Sequence, residues 1–212
     1  MFNAIAQVIT RPSEFFAALG EDESLARWAL PVVLLTTMAS ALATYLLLLP
    51  QQDAFGPDTQ IGAFAVQVRV FGTGIIYFLG WLVFGLVIRM AAGIQARPWA
   101  VAGYATVPAL LFSLVTAAIA VAAPAEVGPV TDITDEQVLQ EELTRIEQET
   151  QESLPGRANA LLSIVGIAWY MALIYLGVKG TTGSPGSAIR ATSFIAIVYL
   201  LVLMVPWLLA AP

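Results

Sequence analysis

Five stretches of this chain run for twenty or more residues with almost no ionisable group, and nothing else in the sequence restricts the fold as much. They cover about 28–49, 65–92, 99–123, 158–178 and 188–209. About 20 apolar residues in helical form cross the hydrocarbon of a bilayer. In lipid a spanning segment must satisfy its own backbone hydrogen bonds, which an α-helix does. Composition agrees: 58% of residues are apolar and 11% charged, where a soluble domain carries about 25% charged residues. Mean hydropathy is +0.81. The expected fold is therefore all-α, a polytopic membrane helical bundle of five transmembrane helices. An N-terminal interfacial helix and an amphipathic extracytoplasmic helix are expected to accompany them.

The chain of 212 residues reads as one membrane domain. Its parts are an N-terminal segment (1–27), spans one to three (28–123), an acidic loop (124–157) and spans four and five (158–209). In the first part Phe2, Ile5, Val8 and Ile9 recur at helical spacing, and Arg11-Pro12 breaks the run. Ser13 is placed to cap a second short helix carrying Phe15, Phe16 and Leu19, with Gly20 as its stop. These aromatics either pack against the bundle or rest on lipid. The opening residues lack a basic segment followed by an apolar core, so no cleaved signal is expected. Pro50 and the polar residues after it are expected to end span one. Gly72, Gly74, Gly80 and Gly85 in span two read as close-contact positions, with a gating hinge as the weaker reading. Pro108 is expected to kink span three.

The loop 124–157 holds nine of the fifteen acids and only two bases, Arg145 and Arg157. Thr134 with Gln137 fits a capping box, and Leu139, Leu143 and Ile146 follow at helical spacing. A helix over about 135–153 is expected, ending before Pro155-Gly156, with Glu141 and Arg145 as an i,i+4 pair. With five spans, Arg11, Arg27, Arg89, Arg97, Lys179 and Arg190 fall on one side, and Arg69, Arg145 and Arg157 on the other. The positive-inside rule then puts the N-terminus in the cytoplasm and the acidic loop and C-terminus outside it.

The chain has no cysteine and no histidine. Disulfides, thiolate and imidazole chemistry, zinc sites and haem ligation are thereby removed. No Asp, Glu or Lys lies within the spans, where proton relays and ion-coupled transporters place their ionisable groups. No catalytic residue, metal or cofactor is expected, and the loop lacks the spacing of an EF-hand. No basic patch suggests nucleic acid. Thr36, Thr37, Ser40, Thr44, Tyr77, Tyr104, Asn159 and Ser163 either line a polar path or join helices by hydrogen bonds.

Several segments carry a resemblance. Arg11-Pro12-Ser13-Glu14-Phe15-Phe16 ahead of span one is similar to the start of bacterial members of the Yip family. That family is named for eukaryotic relatives that interact with Ypt/Rab GTPases. Ala92-Gly93 with Arg97 resembles its turn after span two. Tyr104-Ala105-Thr106-Val107-Pro108 resembles its Tyr-x-x-x-Pro opening of span three, and Trp169 with Gly177-Val178-Lys179 the end of its span four. The resemblance implies an integral membrane protein without known catalysis. The long cytosolic N-terminal region of the eukaryotic members is reduced here to about thirty residues, which argues against expecting a Rab partnership.

The expected function is a non-enzymatic scaffold or adaptor in a bacterial inner membrane. It would organise lipids or partner membrane proteins, or self-associate, through turns bearing Arg89, Arg97, Lys179 and Arg190. The alternative is a channel or passive carrier with a path or kink at Gly74, Gly80, Tyr104 and Pro108.

Overall fold

The computed structural model describes residues 1–55, 60–130 and 136–209. The side chains of residues 60, 61, 136 and 202–209 lie outside that description. Among the described residues the structure is all helix, with no strand. In chain order the helices are α1 (Phe2–Thr10), α2 (Pro12–Glu21), α3 (Glu23–Ala26), α4 (Ala29–Ala54) and α5 (Gln60–Ala92). A short 3₁₀ turn, Ile94–Ala96, leads to α6 (Pro98–Ala105) and α7 (Val107–Ala122). After the loop come α8 (Glu136–Glu152), α9 (Leu154–Thr182) and α10 (Pro185–Leu209).

Four stretches are long and apolar enough to cross a membrane: Glu23–Ala54, Gly62–Ala92, Ile94–Ala122 and Leu154–Thr182. The expected five spans thus stand at four on this criterion. The fifth, α10, counts as a shorter apolar helix over Pro185–Leu201, where its described side chains end. The chain is an integral membrane protein. Phe71, Ile75, Ile76 and Leu79 on α5 are exposed, an apolar face that lipid covers.

The helix ends differ from expectation in instructive ways. Pro50 does not stop α4, which continues to Ala54. A proline forfeits one backbone bond, and the polar turn beyond it is held otherwise: the Gln51 amide donates to Thr150 Oγ1 at 2.9 Å, and Val130 N–H donates to the Ala54 carbonyl. The cap of α2 is Arg11, with Pro12 in the first turn and Ser13 already inside the helix. Gly20 is not the stop either, since α2 runs on to Glu21 and ends at Asp22. Helix α9 passes through Gly177 and Gly180 to Thr182 and ends at Gly183, whose φ of 67° only glycine adopts freely. Span three is expected to kink at Pro108; it breaks between α6 and α7 at Thr106, two residues earlier. The Thr106 hydroxyl donates to the Gly103 carbonyl at 2.7 Å, supplying a donor at the break.

Two compact units divide the chain. Unit 1 comprises Met1–Leu34, Phe78–Pro108 and the chain from Ile167 onward; unit 2 comprises Leu35–Tyr77 and Ala109–Gly166. In unit 1 the core is Val8, Phe15, Phe16, Leu19, Ile88, Tyr104, Leu173 and Ile174, all buried. The N-terminal aromatics therefore pack inside protein; Phe2 is exposed. In unit 2, Ile146 and Thr150 are the buried face of α8. That amphipathic helix ends at Glu152, ahead of Pro155-Gly156 as the sequence predicts. The expected capping residue Thr134 lies outside the described residues.

Candidate functional site

The four segments that carry the family resemblance meet in unit 1. Their meeting depends on two glycines that let backbones touch. A Cβ on Gly180 of α9 would lie 2.8 Å from the carbonyl carbon of Phe16, and one on Gly177 would lie 2.5 Å from Val101 Cγ1. Phe16 is thus seated against α9, and Phe15 stands edge-on to the Tyr104 ring with centroids 4.7 Å apart. Tyr104 in turn donates its hydroxyl to the Leu25 carbonyl at 2.7 Å.

The turn after span two closes on the same elements. Gly93 has φ 83°, and Arg97 sits in the left-handed region at φ 47°, where a side chain is disfavoured. Pro98 follows and takes the first turn of α6. The Arg97 guanidinium donates to the Gly20 carbonyl at 3.2 Å, and the Thr181 hydroxyl to the Ala96 carbonyl at 3.2 Å. In α5, Gly85 makes room for Trp99, since a Cβ there would lie 2.5 Å from the indole. Trp81 donates its indole N–H to the Trp99 carbonyl at 2.8 Å.

The four basic residues expected to meet lipid or partners all belong to unit 1. Arg89 reaches over the Trp99 ring at 5.8 Å, and Arg97 is committed to Gly20. Lys179 and Arg190 are exposed; Lys179 lies over the Tyr175 ring of its own helix, and Arg190 donates to Ser187 Oγ one turn earlier in its own. Asp22 caps α3 by accepting from the Ser24 hydroxyl and backbone N–H. These two bonds hold its carboxyl below the usual carboxylate range. By sequence unit 1 carries six bases and four acids, whereas unit 2 carries three bases and eleven acids.

Of the residues expected to flank a path, Tyr104 and Pro108 are buried in unit 1, with Gly80 in the same unit and Gly74 in unit 2. None of the four borders either of the two described cavities. Gly72 faces open space, while a Cβ on Gly80 would meet Phe84 at 3.9 Å and one on Gly74 would meet Thr37 at 3.5 Å, both ordinary contacts. The close contact expected of the span-two glycines thus holds at Gly85. Several hydroxyls in the spans of unit 2 bond across helices: Ser40 with Ser113 at 2.8 Å, Thr44 to Thr73 at 3.4 Å, and Thr116 to Asn159 at 3.5 Å.

In unit 2 the acidic loop is organised by Arg145. It pairs with Glu142 at 2.6 Å and Glu149 at 2.7 Å and donates to the Gly128 and Pro129 carbonyls. The expected Glu141 pair is replaced by these two carboxylates, which share the guanidinium with the loop backbone. Glu149 also accepts the Gly128 N–H, and this bond, then Arg145, holds its carboxyl below the usual range. No group of three or more His, Cys, Asp or Glu side chains able to share a metal occurs among the described residues.

The sequence reading missed Gly177 and Gly180 as contact positions and Trp99 as the filler of Gly85. The spacing of two glycines three apart, just past an apolar run, was the available signal. A family model described as Yip1 domain matches residues 6–209. No curated protein and no solved structure matches the chain.

Proposed function

The chain belongs to the Yip1 domain family, and from that premise we propose that it is a non-enzymatic membrane scaffold or adaptor. The whole chain acts as one membrane domain that holds lipids or partner membrane proteins, or a second copy of itself. The observation that carries this reading is the fate of the polar side chains inside the spans. Ser40, Thr44 and Thr116 bond to neighbouring helices, while the Tyr104 hydroxyl is taken up by Leu25. Side chains used this way join helices, and they supply neither a proton relay nor a nucleophile. The surface left for recognition is the exposed pair Lys179 and Arg190, with Arg89 beside Trp99.

The excess of bases in unit 1 favours a cytoplasmic side for that unit's turns and an opposite, external side for the acidic loop, as in a bacterial inner membrane. Crosslinking in native membranes from positions near Lys179 and Arg190 is expected to trap a discrete partner or a homo-oligomer. Monomer alone would oppose the reading. Purified protein in liposomes is expected to pass no ions above empty controls; flux would favour a channel.

A further inference from the structure

A cavity of about 380 Å³ opens in unit 2 where α4 ends and where α5 and α9 begin. Arg69 and Arg157 border it with Gln51, Asn159 and Glu147, and Leu47 and Leu48 supply apolar wall. The allocation of positive charge is what makes this cavity informative. Unit 2 has three bases among eleven acids, and Arg145 is saturated by two carboxylates and two carbonyls. Both remaining bases border the same cavity.

Neither is strongly committed. Arg69 meets Glu147 at 3.7 Å with both side chains about half exposed, 49% each, a long contact that contributes little. The Arg157 guanidinium has no ion-pair partner among the described residues. The Asn159 carbonyl accepts from Thr116, which leaves its NH₂ group as a donor at the cavity. Two guanidinium groups and an amide donor against one carboxylate select an anion, and guanidinium forks match phosphate oxygens.

We propose that this cavity holds the phosphate headgroup of an anionic phospholipid. Arg69 and Arg157 grip the phosphate, the Asn159 amide donates beside it, and an acyl chain lies along Leu47 and Leu48. Depth argues for a lipid over a free anion. Helix α5 has 33 residues, which at about 1.5 Å each make it roughly 20 Å longer than the hydrocarbon core of about 30 Å. Arg69 lies nine residues from its start, near the boundary where a long side chain reaches headgroups. Further along α9, Leu161 and Ile164 are exposed and continue the apolar surface. This site stands on unit 2 alone and does not depend on the scaffold reading.

The test uses the full chain in detergent, titrated with dioctanoyl phosphatidylglycerol and read by native mass spectrometry. Dioctanoyl phosphatidylcholine and glycerol 3-phosphate are titrated in parallel. The expected result is one saturable phosphatidylglycerol adduct, weaker phosphatidylcholine binding and no glycerol 3-phosphate adduct in the same range. Arg157→Gln and Arg69→Gln should each weaken phosphatidylglycerol about tenfold. Arg157→Lys, which keeps the charge but loses the fork, should retain part of it, and Arg11→Gln in unit 1 should change nothing. Arg157 is exposed, so its variants are expected to fold even if Arg69→Gln does not. Unchanged binding in Arg157→Gln would overturn the proposal, as would equal binding of phosphatidylcholine. Glycerol 3-phosphate binding as tightly as the lipid would overturn it in favour of a soluble anion.

Discussion

Arg97 shows how one residue is chosen against its own backbone. Its φ of 47° costs roughly 1 kcal/mol for a non-glycine residue, and its guanidinium recovers part of this through the Gly20 carbonyl. Arg97→Gly should therefore destabilise the protein less than Arg97→Ala does, by about 1 kcal/mol, in thermal unfolding of the detergent-solubilised chain. Gly180 makes the opposite case. Gly180→Ala sets a Cβ against the Phe16 backbone and should cost about 1–3 kcal/mol. Gly72→Ala meets nothing within 4 Å and should be neutral or stabilising by up to about 1 kcal/mol. Equal effects at the two glycines would refute the contact argument. Tyr104→Phe removes the hydroxyl from Leu25 while keeping the ring against Phe15, with an expected loss of about 1 kcal/mol.

At the scale of elements, α8 and the loop before it make one coupled piece through Arg145 and Glu149. The Glu149 carboxyl is held below its ordinary value of 4.5, first by the Gly128 N–H and then by Arg145. A group depressed in the folded state stabilises above its unfolded value and loses that contribution as pH falls through the folded one. Amide exchange at Gly128, corrected for intrinsic rates, should accordingly rise as pH drops below 4.5. In Glu149→Gln it should be faster at neutral pH and lose this acid response. An unchanged acid response in that variant would assign the titration elsewhere.

The helices were legible in the sequence where local chemistry decides them, as at the break at Arg11-Pro12 and the end of α8 before Pro155. They were illegible where a distant partner decides. Gly20, Gly177 and Gly180 look like stops in isolation but serve as contact surfaces, because the neighbour that needs their missing Cβ lies far along the chain. Likewise Glu141, Glu142 and Glu149 are all within reach of Arg145 by spacing. The loop carbonyls of Gly128 and Pro129 draw the guanidinium toward the last two.

For the whole molecule the decisive quantity is the split of charge between the units, six bases with four acids against three bases with eleven acids. A chain without cysteine lends itself to single-cysteine labelling. Gln148→Cys in α8 should react with a membrane-impermeant maleimide on intact cells, and Gly183→Cys only after lysis. The reverse pattern would invert the topology and move the acidic loop into the cytoplasm.

The scaffold reading itself requires that the exposed turns beside Lys179 and Arg190 touch something. Gly186 lies between those two residues in the sequence, and the nearest atom to a Cβ there is 4.0 Å away, so a crosslinker at this position disturbs little. With a short photo-crosslinker on Gly186→Cys in native membranes, the account predicts a discrete higher-mass adduct, a partner protein or a second copy. The same probe on Ile76→Cys, on the lipid-facing side of α5, should give none. Monomer alone from both positions would contradict the account.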